Sequence, residues 1–231
     1  MRNLIRHTIA TALFFFSLSA VLAVAFVAHA ETTTDRLHAV LLKLPPWHGA
    51  KNDPARGDVS EDPILRQARL LSIADAITSG VQHTMCVGPW KGVEGCERRW
   101  KGSRLQLMAA LASIGYWETA FASAIHLNRC DLLPGGCDKD RMGNPRARSY
   151  WQCWKSACPE LWQTEVGTEV ELRTAAWEAS KLLAGFYGYC RTLGHEDPWE
   201  LAFTAYAGRG CRTWDVAKRR RATMTRILSK L

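Results

Sequence analysis

The stretch Leu107-Met108-Ala109-Ala110-Leu111-Ala112-Ser113-Ile114-Gly115-Tyr116-Trp117-Glu118-Thr119-Ala120-Phe121 decides the fold class of this chain. It contains no helix breaker except Gly115 and predicts a helix. Leu107, Leu111, Ile114 and Glu118 follow a 4-3-4 spacing, which puts them on one helical face. A face otherwise apolar is expected to turn inward and take the carboxylate with it. A carboxyl group in apolar surroundings resists ionising, as a general acid working at neutral pH requires. The plain alternative is a glutamate at a helix end that reaches water or pairs with one of the chain's many arginines, because structural ion pairs imitate functional carboxylates.

Outward from this helix the chain reads as more helices. Ser103 stands where a cap for the Glu118 helix is expected. Upstream, Asp35 to Leu44 predicts a short helix stopped by Pro45-Pro46, and Trp47 to Val59 a polar linker. Asp62-Pro63 has the form of an N-cap followed by proline at the first helical position. Ile64, Ala68, Leu71, Ile73, Ala76 and Ile77 then recur at near-helical spacing, and Val81 to Gly102 reads as a loop. Downstream, Asn128 to Ser149 is a long loop with Pro134-Gly135-Gly136 and Gly143-Asn144-Pro145, and Tyr150 to Trp162 is dense in tryptophan. Glu169 to Arg191 predicts a strong helix with Leu172, Ala175, Ala176, Ala179, Leu182, Leu183 and Phe186 inward. Asp197-Pro198 opens a helix running to Tyr206, ended by Ala207-Gly208-Arg209-Gly210. Trp214 to Leu231 predicts a basic final helix with Val216, Met224, Ile227 and Leu228 as its apolar side. No stretch alternates convincingly enough to predict a strand.

Residues 1–30 read as a signal peptide. Arg2 and Arg6 start it, Ile9 to Val27 is almost wholly apolar, and Ala28-His29-Ala30 has the small-x-small form of a cleavage site. The expected destination is secreted or periplasmic after cleavage near Ala30, with an uncleaved membrane anchor as the alternative. Residues 31–62 then form an N-terminal helix and polar linker, and 63–231 the main helical domain. The net charge is +8, of which Arg2 and Arg6 supply two. A basic exported protein suits an anionic cell-wall polymer or membrane surface; export and disulfides argue against nucleic acid.

Eight cysteines in an exported chain imply disulfides. Eight allow 105 connectivities, but they fall into local couples: Cys86 with Cys96, Cys130 with Cys137, Cys153 with Cys158, and Cys190 with Cys211. The rival reading is zinc. The chain has neither Cys-x-x-Cys nor His-Glu-x-x-His, and its seven histidines, His126 and His195 among them, are scattered. No metal and no cofactor is expected.

Three segments stand in a telling order. Tyr116-Trp117-Glu118-Thr119-Ala120-Phe121 resembles the Glu-Ser-Gly-Phe signature of lytic transglycosylases and goose-type lysozymes. Ser149-Tyr150-Trp151-Gln152-Cys153 resembles their second block, where a glycine and an apolar residue precede a glutamine. Ala205-Tyr206-Ala207-Gly208 resembles their third, Ala-Tyr-Asn-x-Gly. The resemblance spans residues 103 to 212. It implies a mainly α, lysozyme-like single domain with disulfide-closed loops. It also implies cleavage of peptidoglycan glycan strands at the β-1,4 bond between N-acetylmuramic acid and N-acetylglucosamine. Glu118 matches the glutamate that serves as acid and then base. Thr119, Gln152 and Tyr206 match substrate-side positions. Ala120 replaces a glycine, Ala207 replaces the asparagine, and Trp151 and Tyr150 are bulkier than usual, changes expected to narrow the cleft.

A conventional glycosidase adds a second carboxylate. Asp131, Asp138, Asp140 and Glu160 have no spacing argument for that role, so a one-acid mechanism fits better. Trp151, Trp154 and Trp162 offer flat faces suited to sugar rings, or pack a core. The run Lys218-Arg219-Arg220-Arg221, with Arg226 and Lys230, is either an anion-seeking surface or a solvated helix face. Two rivals to the enzyme stand beside it: a non-catalytic peptidoglycan-binding module on the same fold, and a secreted structural or inhibitory protein secured by disulfides.

Overall fold

The central helix begins where its capping chemistry dictates. Ser103 Oγ accepts from the Gln106 N–H at 3.1 Å, and Gln106 Oε1 accepts in return from the Ser103 N–H at 3.0 Å. This reciprocal box satisfies two of the donors that a helix start leaves open. The computed structural model describes residues 31–45, 62–87, 103–121, 125, 142–143, 145–195 and 198–231. Within it the chain is mainly helical. The helices are α1 (Thr33–Leu42), α2 (Pro63–Val87), α3 (Arg104–Thr119), α4 (Glu169–Thr192), α5 (Trp199–Tyr206) and α6 (Asp215–Leu228).

Every residue of α3 from Leu107 to Tyr116 is buried. A helix covered on all sides belongs at the centre of a core, and α2, α4 and α6 all pack against it. α2 starts as its sequence predicts: Asp62 Oδ1 accepts from the N–H groups of Ile64 at 2.7 Å and Leu65 at 3.3 Å, ahead of Pro63 in the first turn. The buried face of α2 differs from the expected stripe. Leu70, Ile73, Ala74, Ile77, Gly80, Val81 and Thr84 point inward, while Ile64 and Leu71 are exposed. The inward spacing continues past Ile77, which is why α2 runs on through the segment from Val81 that reads as loop. At Gly80 the backbone of α4 comes so close that a Cβ would lie 2.7 Å from the Trp177 nitrogen. Thr33–Leu231 form one compact unit, so α1 joins the helices that follow residue 62. Its Leu37 and Leu41, and Leu44 in the turn that follows, are buried.

A short antiparallel hairpin, unanticipated from the sequence, links α3 to α4. β1 (Ala147–Arg148) pairs with β2 (Cys153–Trp154), Ala147 opposite Trp154 and Arg148 opposite Cys153. Two-residue strands carry too little alternation to be read from sequence. Cys153 and Cys158 form a disulfide that ties off the loop after β2, and Cys190 joins Cys211 across α5. Of the other two expected couples, Cys86 falls in the last turn of α2 but its expected partner Cys96 lies outside the described residues, as do Cys130 and Cys137, residues 1–30, the linker 47–59, His126 and Asp131, Asp138 and Asp140. Among the described residues no helix is long and apolar enough to cross a membrane.

The hairpin is fastened to α4 by buried charge. Arg148 donates to Glu171 Oε1 through Nη2 at 2.7 Å and Nε at 3.1 Å, and to the carbonyls of Leu161 and Thr164 at 3.3 Å each. Glu171 Oε2 accepts from the Gly167 N–H at 2.7 Å. A buried ion pair is tolerable when its remaining hydrogen-bonding capacity is met in this way. Beside it, buried Glu178 accepts from the backbone N–H of Leu161 at 2.9 Å. Burial raises the Glu178 carboxyl above the ordinary range, against the lowering effect of its backbone donors and Lys181.

Candidate functional site

Glu118 sits in the last turn of α3, one residue before the helix ends. The helix closes on Ala120, whose N–H donates to the Tyr116 carbonyl at 2.8 Å. Ala120 and Phe121 both take left-handed backbone, with φ of 49° and 57°. That conformation favours glycine, and Ala120 stands where the resembled signature has one. The sharp exit returns Phe121 over Gly115, where a Cβ would collide with the Phe121 ring. Gly115 is therefore in a helix interior for close approach, at the usual cost in helix propensity.

The second segment docks on this corner. The Thr119 hydroxyl lies 3.0 Å from the Gly115 carbonyl and 3.2 Å from that of Tyr150, and accepts from the Phe121 N–H at 3.2 Å. Thr119 is buried. This corrects its expected place as a substrate-side residue: its oxygen is occupied by backbone, and it positions the segment beside Glu118. Trp151 is wholly buried, its indole N–H donating to the Leu111 carbonyl at 3.0 Å. It is therefore a core residue and not a sugar platform. Trp162 is half-buried, with its N–H on the Cys153 carbonyl at 3.3 Å, and Trp154 is exposed. Gln152 is half-buried with φ of 51°; its Nε2 donates to the Ser149 carbonyl at 3.1 Å.

The third segment closes the group. The Tyr206 hydroxyl donates to the Trp151 carbonyl at 2.8 Å, which fixes the end of α5 to the second segment. Burial raises the Tyr206 phenol far above its ordinary value. The Glu118 carboxylate pushes the same way and the Arg220 guanidinium opposes both. The phenol is thus a neutral donor within electrostatic reach of Glu118.

Arg220 is the residue that sequence reasoning missed. Its Nη2 lies 2.6 Å from Glu118 Oε1, with 6% of the Arg220 side chain and 23% of the Glu118 side chain exposed. The expectation of a carboxylate held among apolar groups alone is corrected accordingly: Glu118 has an ion-pair partner, as the plain alternative held. The run Lys218-Arg219-Arg220-Arg221 is not uniform either, since Lys218 and Arg219 are exposed while Arg220 turns inward. The signal was present in the spacing: Ala217, Arg220, Met224 and Ile227 share the buried stripe of α6. Two further bonds lock α6 to α3. Ser113 Oγ donates to the Arg220 carbonyl at 2.7 Å, and Trp117 Nε1 donates to Thr223 Oγ1 at 3.0 Å.

Among the described residues no His, Cys, Asp and Glu side chains group as metal ligands. The chemistry the arrangement offers is that of one half-exposed carboxyl group, anchored on one oxygen by a buried guanidinium and flanked by neutral hydrogen-bonding groups. Comparison with known proteins adds no relative: no protein-family model, no curated protein and no solved structure matches this chain.

Proposed function

We propose that this protein cleaves the glycan strands of peptidoglycan at the β-1,4 bond between N-acetylmuramic acid and N-acetylglucosamine, on a lysozyme-like fold, after export. Glu118 protonates the leaving glycosidic oxygen and then acts as base. The observation that carries this reading is the convergence of three separate segments on one helix end. Thr119 is bonded to the Tyr150 carbonyl, and the Trp151 carbonyl accepts from Tyr206, whose phenol feels the Glu118 charge. These are the segments in which the resemblance lies, and chance matches have no reason to meet. Gln152 keeps its side-chain oxygen for a sugar hydroxyl or acetamido N–H.

In this proposal Arg220 orients Glu118 through Oε1. Arg220 also supports a second reading. A glutamate tied to a guanidinium at 2.6 Å is equally suited to a structural role, as in a non-catalytic module that binds the same polymer. Purified peptidoglycan incubated with the protein separates the two. Soluble fragments detected by mass spectrometry, and lost in Glu118→Gln while that variant still folds, are the expected result. Binding without fragments, or fragments undiminished by Glu118→Gln, removes Glu118 as the acid. Anhydro ends among the fragments identify a transglycosylase; their absence identifies a hydrolase.

A further inference from the structure

α6 is divided along its length. One face, with Ala217, Arg220, Thr223, Met224 and Ile227, is buried, and the helix packs on α3 and α5. The opposite face carries Lys218, Arg219, Arg221 and Arg226, with Lys230 in the turn after the helix. Arg221 is half-buried and the other four are exposed. Asp215 is the one acid of α6, and its Oδ1 lies 3.3 Å from Lys218 Nζ. Arg219, Arg226 and Lys230 pair with no carboxylate among the described residues. From Lys218 to Lys230 this strip is about 18 Å long. It holds four net positive charges, half of the +8 of the whole chain. Charge that serves solubility alone has no reason to gather on one helix face, and a strip of one sign draws anions to it. The neutral residues between the cations are Ala222, Thr225 and Ser229. The strip therefore has no apolar side chain to push among acyl chains and no aromatic ring on which a base could stack. A row of long cationic side chains suits a plane of anions that it touches without entering.

We propose that this outer face of α6 docks the protein on a bilayer surface carrying anionic phospholipid, through the headgroup phosphates alone. The inference stands independently of the glycan-cleaving reading. Arg220, from the buried face of the same helix, holds Glu118. Docking through the outer face leaves that pair undisturbed and keeps the candidate site about one helix diameter, ~10 Å, from the headgroups. Because the attraction is that of a field and not of a two-point fork, lysine serves as well as arginine. Because the cations are exposed, the attraction is screened by salt.

Co-sedimentation with vesicles tests it, using the protein as recovered after export. One set of vesicles is phosphatidylcholine alone, and in the other about one-third of the lipid is phosphatidylglycerol. A basic side chain near such a surface contributes about fivefold in affinity. The wild type is expected to prefer the anionic vesicles by at least about a hundredfold. That preference is expected to vanish as salt rises from about 0.1 M to about 1 M and the screening length falls from about 10 Å to about 3 Å. The triple variant Arg219→Gln/Arg226→Gln/Lys230→Gln is expected to lose about a hundredfold in affinity for the anionic vesicles. A second triple, Lys43→Gln/Lys155→Gln/Arg191→Gln, removes equal charge from exposed positions off α6 and is expected to stay within about threefold of the wild type. Arg219→Lys/Arg226→Lys, which keeps the charge, is expected to stay within about twofold. Equal binding of the wild type to both vesicles, or an equal loss in the two triples, overturns the docking face. Tighter binding to soluble polyphosphate than to anionic vesicles at the same phosphate concentration overturns the membrane as partner and assigns the face to a phosphate polymer. Should the first triple fail to fold, Arg226→Gln alone, expected to lose about fivefold, decides together with the wild-type salt dependence.

Discussion

Arg220 and Glu118 meet at 2.6 Å although each lies on the apolar stripe of its own helix. Two charges that would each be costly to bury on an apolar face are brought together when α6 packs on α3. The pair is unequal: Arg220 is nearly sealed, while Glu118 retains contact with solvent.

That inequality sets an order of stabilities. Removing Glu118 strands a buried cation, whereas removing Arg220 leaves a carboxylate that reaches water. Glu118→Ala is therefore expected to cost about 2–4 kcal/mol, toward the range for breaking a buried pair. Arg220→Met, close in volume and apolar, is expected to cost less, and Glu118→Gln, which keeps an acceptor oxygen, about 1 kcal/mol. Urea denaturation of the three variants checks the ranking. Arg220→Met proving the most destabilised would contradict it.

Thr119 is a second test of positioning. Thr119→Val keeps the shape and removes the oxygen that serves two carbonyls and one N–H. An expected loss of about 1–3 kcal/mol follows from leaving the buried Phe121 N–H unpaired. Thr119→Ser retains the hydroxyl and is expected to recover most of that stability. If the two variants melt together, the hydroxyl is not what joins the segments.

The close approaches at Gly80 and Gly115 predict sensitivity to one methyl group. At Gly80 the obstacle is the α4 backbone, which has no rotamer to turn aside. Gly80→Ala is expected to lose about 1–3 kcal/mol as α2 and α4 are forced apart, outweighing the gain in helix propensity. Gly185 and Gly188 in α4 have open space around them, so alanine there is expected to be neutral or to stabilise by up to about 1 kcal/mol. Thermal melts of the three variants measure the contrast.

Glu178 predicts a pH dependence opposite to that of a paired carboxylate. Its folded-state carboxyl is raised above the reference value of 4.5, chiefly by burial. Between the unfolded and the raised folded value the native state holds more protons, so stability falls as pH climbs through that window. Below it no such penalty exists. Glu178→Gln cannot titrate and still offers an oxygen to Leu161. Its stability relative to the wild type is expected to improve on going from pH 4 to pH 7 in urea unfolding. A constant difference across that range would show that Glu178 does not titrate with folding.

The helical order, the Ser103 and Asp62 caps and the inward face of α4 were legible because periodicity and capping are local properties. The outward face of α2 was misread because Ile64 and Leu71 satisfy the helical period without being covered; which apolar residue is covered depends on what packs against it. The hairpin was lost to its shortness. At the candidate site, Glu118 and Tyr206 were named from their segments. The burial of Thr119 and Trp151 was not, since it arises from contacts between segments about thirty or more residues apart, as in Thr119 with Tyr150 and Trp151 with Leu111. Arg220 was within reach. Its spacing from Ala217 and Met224 was overridden by the run of like charges around it.

Ser113 and Arg220, bonded across the α3–α6 seam, are 107 positions apart in the chain. The entropy of closing so long a loop must be offset before such a contact contributes. Glu118 consequently gains its companion only when α6 docks onto the rest. Ordering of this carboxylate therefore requires the docked α6, and a chain in which α6 stands away from α3 would hold the acid in no defined orientation.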